Sequence, residues 1–462
     1  MDNRYLSHHL HHPICTLVAQ SNNMETPSLQ QGIHDARTLG PVKFGILGIQ
    51  HLFAMFGATI LVPAITGLNA SATLLFAGVG TLLFHFISKW KVPAFLGSSF
   101  AFIGGYLSIK QLGMDKGLPA YLSLDYACIG VACAGLCYFI MAALIKGFGS
   151  ERVLKYFPPV VTGPMIISIG LCLSGSAITN ASEDWLIALV AIFVVIISNM
   201  WGKGIVRIIP ILLGVVTSYG LAACMGQVDF SPLQEAAWIG WPVARENTVL
   251  AVFDHPNYNL IMSSIIAIMP IAFATIMEHI GDMCAISGTV GKLFLADPGL
   301  HRTLTGDGVA TALSSLFGAP ANTTYGENTG VLSITKVYDP RVIRLAAIFA
   351  ILLSFCPKFT CLVSMMPAAT IGGVSLILYG MISSVGIRNI VEANIDFMEM
   401  RNIIIAALIL VIAIGVKYGA NDSIAIGSIH LSGLALAAII GILLNAILPH
   451  RLDIDIDIEE YK

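Results

Sequence analysis

Apolar residues run in long blocks along this chain, and charges, glycines and prolines break them. With those breaks as limits, the pattern predicts helical segments at about 44–66, 71–88, 93–106, 126–146, 158–175, 184–201, 205–225, 259–286, 304–318, 320–334, 342–356, 367–386, 402–418 and 430–448. The third and tenth of these fourteen are short and interrupted by Gly and Pro. That predicts half-helices joined to extended backbone.

The two halves echo one another. Pro93-Ala94 opens the third segment and Pro320-Ala321 opens the tenth, with Phe100 and Glu327 at matching distances beyond. Phe157-Pro158 leads to Gly163 in the fifth segment as Met366-Pro367 leads to Gly372 in the twelfth. Gln50-His51 in the first segment corresponds to Glu278-His279 in the eighth. Seven is odd, so seven segments followed by seven predict an inverted repeat. Paired broken segments in such a repeat point to a binding site between them.

Composition turns these segments into membrane spans. Hydrophobic residues make up 56% of the chain and charged residues 11%, against about 25% charge in soluble domains. Mean hydropathy is +0.82. The expectation is an all-α polytopic membrane protein. A net charge of −3 gives no sign of nucleic-acid binding. None of the nine cysteines forms a CxxC pair, so no metal or disulfide framework is expected, and no cofactor motif is present.

Residues 1–43 differ from the rest. They are polar, with a His8-His9-Leu10-His11-His12 run, and read as a disordered cytoplasmic extension without signal-peptide character. The end, 449–462, is an acidic solvated tail with Asp453, Asp455, Asp457, Glu459 and Glu460. Of the 24 Lys and Arg, nineteen fall on one set of loops and five (Lys110, Lys116, Arg245, Lys358, Lys417) on the other. The positive-inside rule then places both termini in the cytoplasm.

Candidate chemistry lies where charge interrupts a span. Glu278-His279-Ile280-Gly281-Asp282 sits on an otherwise apolar segment, and Pro320–Asn328 contains Glu327. A carboxylate at mid-bilayer costs roughly 3 kcal/mol or more, so such residues mark function. Glu278 and Asp282 are four apart and share one helix face. His279 points elsewhere and reads as a buried structural histidine. Asp307 in the ninth segment reads as a proton-linked acid or as a partner for a neighbouring amide. Gln50 and His51, with Ser99 and Asn328, are expected to support the site by hydrogen bonds. The small residues Gly97-Ser98-Ser99 let backbone N–H groups approach a ligand, and half-helix starts add partial positive charge.

At these residues the chain resembles the nucleobase–ascorbate transporter family, over about residues 44–450. The resemblance rests on Gln50-His51-Leu52-Phe53-Ala54-Met55-Phe56-Gly57, Gly97-Ser98-Ser99-Phe100-Ala101-Phe102, Glu278-His279-Ile280-Gly281, Asp297-Pro298-Gly299-Leu300-His301-Arg302 and Asn322-Thr323-Thr324-Tyr325-Gly326-Glu327-Asn328. It implies a core domain from 44–146 and 259–356 and a gate domain from 158–225 and 367–448. It implies uracil–proton symport by an elevator-like movement of core against gate, in a homodimer formed through the gate, in the bacterial cytoplasmic (inner) membrane. By motif, Glu278 and Glu327 would accept hydrogen bonds from ring N–H groups, and the backbone N–H groups of Phe100 and Gly326 would meet a ring carbonyl. Ala58, Tyr325 and Tyr379 would wall the pocket, and Glu278, Asp282, Glu327 and Asp307 would carry the proton. Asp282 resembles the purine and xanthine branch while Glu327 favours uracil, so a purine substrate stays open. A channel or an anion exchanger of related fold is a further alternative.

Overall fold

The computed structural model describes residues 32–154, 158–254, 256–420, 423–426 and 429–449. The histidine run and the acidic tail lie outside them. Helices dominate: α1 Gly40–Thr66, α2 Ala70–Ile87, α3 Ile103–Asp115, α4 Ala120–Phe148, α5 Pro159–Ala181, α6 Trp185–Trp201, α7 Pro210–Cys224, α8 Tyr258–Ile268, α9 Ile271–Val290 and α10 Leu300–Leu316. Then come α11 Gly326–Thr335, α12 Pro340–Ser354, α13 Pro357–Ser364, α14 Ala368–Glu392, α15 Met400–Gly419 and α16 Gly433–Ile447. Among the described residues, seven spans are long and apolar enough to cross a membrane, or eight if the bent pair α12–α13 counts as one.

Helix starts follow local chemistry. Asn69, Asp184, Asn257, Asp339 and Ser432 each accept a backbone N–H of the helix that follows, satisfying donors that have no partner within the helix. Pro270 splits the expected eighth segment into α8 and α9, because proline cannot continue the hydrogen-bond ladder. Ordered structure also starts before residue 44. Ile33 bridges Val337, Asp339 accepts the Ala36 N–H at 2.8 Å, and Arg341 reaches Asp35 at 3.0 Å. A hairpin of Ser423–Ile426 and Ile429–Ser432 precedes α16, where the hydropathy pattern suggests helix from about residue 430.

Helices pack in two groups. In one, α2 packs on α10 and α12, α4 on α3, α8 and α10, and α1 on α12. In the other, α5 packs on α14 and α15, α6 on α7 and α14, and α15 on α16. Small residues set the closest crossings. A Cβ on Gly135 of α4 would lie 3.0 Å from the Gly308 carbonyl of α10, and one on Gly386 of α14 would lie 2.6 Å from the Gly163 carbonyl of α5.

The two stretches read as broken contain β1 (Leu96–Ser98) and β2 (Asn322–Thr324). They pair antiparallel, Leu96 with Thr324 and Ser98 with Asn322. A two-stranded ribbon leaves edges that cannot go unpaired away from water, and side chains fill them. Thr81 Oγ1 accepts the Leu96 N–H at 2.9 Å, and Thr311 Oγ1 donates to the Asn322 carbonyl at 2.8 Å. The Asn322 amide donates to the Phe76 carbonyl at 2.9 Å.

Candidate functional site

Each ribbon strand runs straight into a helix. Beyond β1, Ser99 is extended and a tight turn, Phe100–Phe102, opens α3; beyond β2, Tyr325 is extended and Gly326 opens α11. Neither cap residue, Ser99 or Tyr325, bonds its side chain to the helix that follows. Because the strands are antiparallel, the two helices leave the ribbon in opposite directions and turn their positive ends back towards it. The first N–H groups of both helices, at Phe100 and Gly326, have no partner within their own helices.

Tyr325 locks this arrangement. Its hydroxyl donates to the Ser98 carbonyl at 2.8 Å and accepts from Thr59 Oγ1 at 3.3 Å, while its N–H donates to the Phe95 carbonyl at 3.0 Å. Ser98 Oγ in turn donates to the Thr59 carbonyl at 3.1 Å. Ala58, beside Thr59 on α1, is buried. Ser99 is buried and donates its N–H to the Ala321 carbonyl at 2.8 Å, and Tyr106 binds the Ala321 N–H at 3.1 Å.

The acids converge here. Glu278 and Asp282 lie on α9 and Glu327 on the first turn of α11, all half-buried. Glu278 is within electrostatic reach of Asp282, Asp307 and Glu327, and Tyr325 is within reach of Glu278 and Glu327. Thr324 donates its hydroxyl to Asp282 Oδ2 at 2.7 Å, tying β2 to α9. Asp307 is fully buried on α10 with Oδ2 3.1 Å from His279 Nδ1, so its partner is an imidazole. Among the described residues, none of the Lys or Arg ion pairs involves Glu278, Asp282 or Glu327.

Of these acids, Glu327 faces a hollow, while Glu278, Asp282 and Asp307 lie outside its wall. A Cβ on Gly326 would meet only Asp282 Oδ1, at 3.9 Å, and one on Gly281 or Gly330 would meet nothing within 4 Å. A hollow of about 470 Å³ has Glu327 in its wall, with Phe53, Gly57, Arg207, Ile211 and Met381. That is the size of a small-molecule site. Asn328, buried on α11, donates its amide to the His51 carbonyl at 3.1 Å and lies 3.1 Å from His51 Nδ1, which fixes α11 against α1. Gln50 is half-buried beside His51, and Phe100 is half-buried against the core. Tyr379 is buried on α14, in the other helix group.

Nothing in the sequence pattern marks Thr59, Tyr106 or Arg207 as site residues or names a partner for Thr324. Thr324 carried a signal, being a polar residue in a buried run that must find a partner. For Thr59 and Tyr106 no local signal exists, since both act through partners more than 200 residues away.

Apolar spanning helices around a half-buried acid cluster, at the starts of two broken helices, define a membrane protein with a polar site inside its spans. Residues 43–421 match the family model Xan_ur_permease, described as Permease family. The chain belongs to this family, the nucleobase–ascorbate transporters. It is 43% identical to the uracil permease of Bacillus caldolyticus over 428 residues, covering 91% of this chain and 94% of that one. It is 39% identical to the uracil permease of Bacillus subtilis (strain 168), covering 95% and 99%. It is likewise 39% identical to the uracil permease of Escherichia coli (strain K12), covering 87% and 90%. In fold it is similar to the transmembrane domain of the cyanobacterial bicarbonate transporter BicA, with a TM-score of 0.56 and 13% identity over 90% of this chain and 99% of that one. The inward-facing murine anion transporter Slc26a9 gives 0.61 and 10% over 93% and 74%.

Proposed function

We propose that this chain imports uracil, or a closely related nucleobase, together with a proton. The observation that carries the reading is that Glu278 and Glu327 lie within electrostatic reach of one another near the helix starts at Phe100 and Gly326, with Glu327 in the wall of an open hollow. Uracil alternates N–H donors with C=O acceptors. The two glutamates supply acceptors and the two backbone N–H groups supply donors. Ala58, Tyr325 and Tyr379 would enclose the ring.

The acid cluster cannot carry all its negative charges at once away from water. One proton held among Glu278, Asp282, Glu327 and Asp307 completes the site, and its release to the cytoplasm weakens substrate binding. Proton entry down the membrane potential adds roughly 2.3 kcal/mol per charge per 100 mV.

Fourteen segments in a seven-plus-seven inverted repeat account for the pairing of β1 with β2 at matching places in the two halves. In this reading α1–α4 with α8–α12 form the core, and α5–α7 with α14–α16 form the gate. The core slides against the gate to carry the site across. The gate's exposed apolar residues, among them Phe193, Ile197 and Val411, meet lipid and a second copy of the chain. Both termini lie in the cytoplasm, and the membrane is the bacterial inner membrane.

Uptake of labelled uracil into proteoliposomes, with and without an imposed proton gradient, tests the proposal. Gradient-dependent uptake is expected in the native chain. Glu327→Gln should lose it while still inserting and melting normally. Full uptake by Glu327→Gln would refute the site. Asp282 is the observation that favours a purine, and stronger competition by xanthine than by uracil would move the substrate there.

A further inference from the structure

A second hollow lies at the far end of α1, outside the acid cluster. Its volume is about 420 Å³, and Asn69, Ser71, Asp125, Asn247, Thr360 and Ser364 are in its wall. It opens between the α1–α2 turn, the start of α4 and helix α13, on the face that the Lys and Arg distribution assigns to the exterior. Asp125 is the single charged residue lining it.

Asp125 is only 2% exposed, and its Oδ2 is fully buried with no hydrogen-bond partner among the described residues. No Lys, Arg or His among the described residues lies within ion-pair distance of it. The ammonium of Lys110 turns instead to the Thr66 carbonyl, at 3.0 Å. A carboxylate buried without a partner is costly, and a counter-charge removes that cost.

The hydroxyls opposite Asp125 have already spent their protons. Ser71 Oγ donates to Thr360 Oγ1 at 2.9 Å, Thr360 Oγ1 to the Pro357 carbonyl at 3.1 Å, and Ser364 Oγ to the Thr360 carbonyl at 3.0 Å. Their lone pairs remain for a positive ligand. One carboxylate with neutral oxygens matches a hard cation of single charge. Calcium sites usually gather several carboxylates, and transition metals favour imidazole or thiolate. Among the described residues no cluster of three His, Cys, Asp or Glu is placed to hold a metal. At about 30 Å³ per water, the hollow also has room for part of the ion's hydration shell.

We propose that this hollow is a binding site for a hydrated monovalent cation of the sodium class, held by Asp125 and by hydroxyl oxygens of Ser71, Thr360 and Ser364. The cation would tie α4 to α13. Helix α13 lies at 85° to α12 and leads into α14, so it joins the two helix groups. Occupancy would therefore stiffen that join. No residue of the acid cluster lines this hollow, so the proposal does not depend on the nucleobase reading.

The test is thermal unfolding of the purified full chain in sodium, potassium and N-methylglucamine chloride at equal ionic strength. The native chain should melt a few degrees higher in saturating sodium than in N-methylglucamine, along a saturable curve. Asp125→Asn should abolish that difference. Ser71→Ala and Thr360→Val, which keep the buried carboxylate, should each weaken the apparent sodium affinity roughly threefold or more, and they decide the matter if Asp125→Asn does not fold. Identical melting in all three salts would mean that Asp125 holds its own proton, and it would overturn the proposal. So would a sodium shift that survives Asp125→Asn, or one that Ser71→Ala and Thr360→Val both leave unchanged.

Discussion

Replacing Gly97 by alanine probes how tightly the ribbon is built. A Cβ at this position would lie 2.6 Å from Thr59 Oγ1 and 2.6 Å from both Cε2 and Cζ of Tyr325. Carbon contacts settle at about 3.5–4.0 Å, so something must move by about 1 Å. Gly97 does not have a positive φ, so alanine suits its backbone and the effect is steric alone. The Tyr325 ring cannot swing away freely, since its hydroxyl is bonded to Ser98 and Thr59 and its N–H to Phe95. The displacement therefore passes to Gly326 and Glu327. Overpacking of this kind costs about 1–3 kcal/mol. If the whole cost appears as lost substrate affinity, binding weakens roughly 5- to 150-fold. Equilibrium binding of labelled uracil and melting of the purified protein measure the two ways the cost can appear. Gly288→Ala, on α9 with nothing within 4 Å of the new Cβ, is the control and should match the native chain. Native-like binding and melting in Gly97→Ala would refute the claim that the ribbon and Tyr325 form one rigid unit.

Other predictions follow from single contacts. Asp282→Asn keeps an acceptor for the Thr324 hydroxyl, so the protein should fold, while the pH profile of uptake should shift; an unchanged profile would remove Asp282 from the proton path. Tyr325→Phe leaves the buried Ser98 carbonyl without its donor and should destabilise by about 1–3 kcal/mol in a denaturant titration; no loss would show that the hydroxyl is dispensable. At the entry to α1, the Arg37 side chain, the Arg37 N–H and the nearby Arg341 hold the Asp35 carboxyl at about 2, below its usual 3.8. A lowered value means that this contribution is complete above the unfolded value and disappears as pH falls through about 2. Protease resistance of residues 32–39 should therefore be constant from pH 5 to 8 and should fall in Asp35→Asn across that whole range.

Much of the architecture is local in origin. The length of an apolar run, a proline that ends a ladder and an aspartate or asparagine that caps the next helix act within a few residues. Helix positions, the interrupted stretches at Pro93 and Pro320, and the placing of Glu278 and Asp282 on one face were therefore legible from the chain alone. The break at Pro270 was not, because the apolar run continues unchanged on both sides of it. The anchoring of Ile33 and Asp35 was not legible either, because Val337 and Arg341, which hold them, lie some 300 residues away.

The sequence by itself determined that this protein lives in a membrane, where its broken segments fall and which acids interrupt them. Tertiary structure decided what those acids face. The bonds from Thr324 to Asp282, from Tyr325 to Ser98 and from Asn328 to His51 join residues 42, 227 and 277 positions apart. Whether Asp125 is a buried ornament of α4 or the wall of a hollow depended likewise on where α13 came to rest. Hydrophobic periodicity reports which side of a helix avoids water. It carries no information on which distant backbone will supply the missing hydrogen bond, and at these depths that bond determines the site.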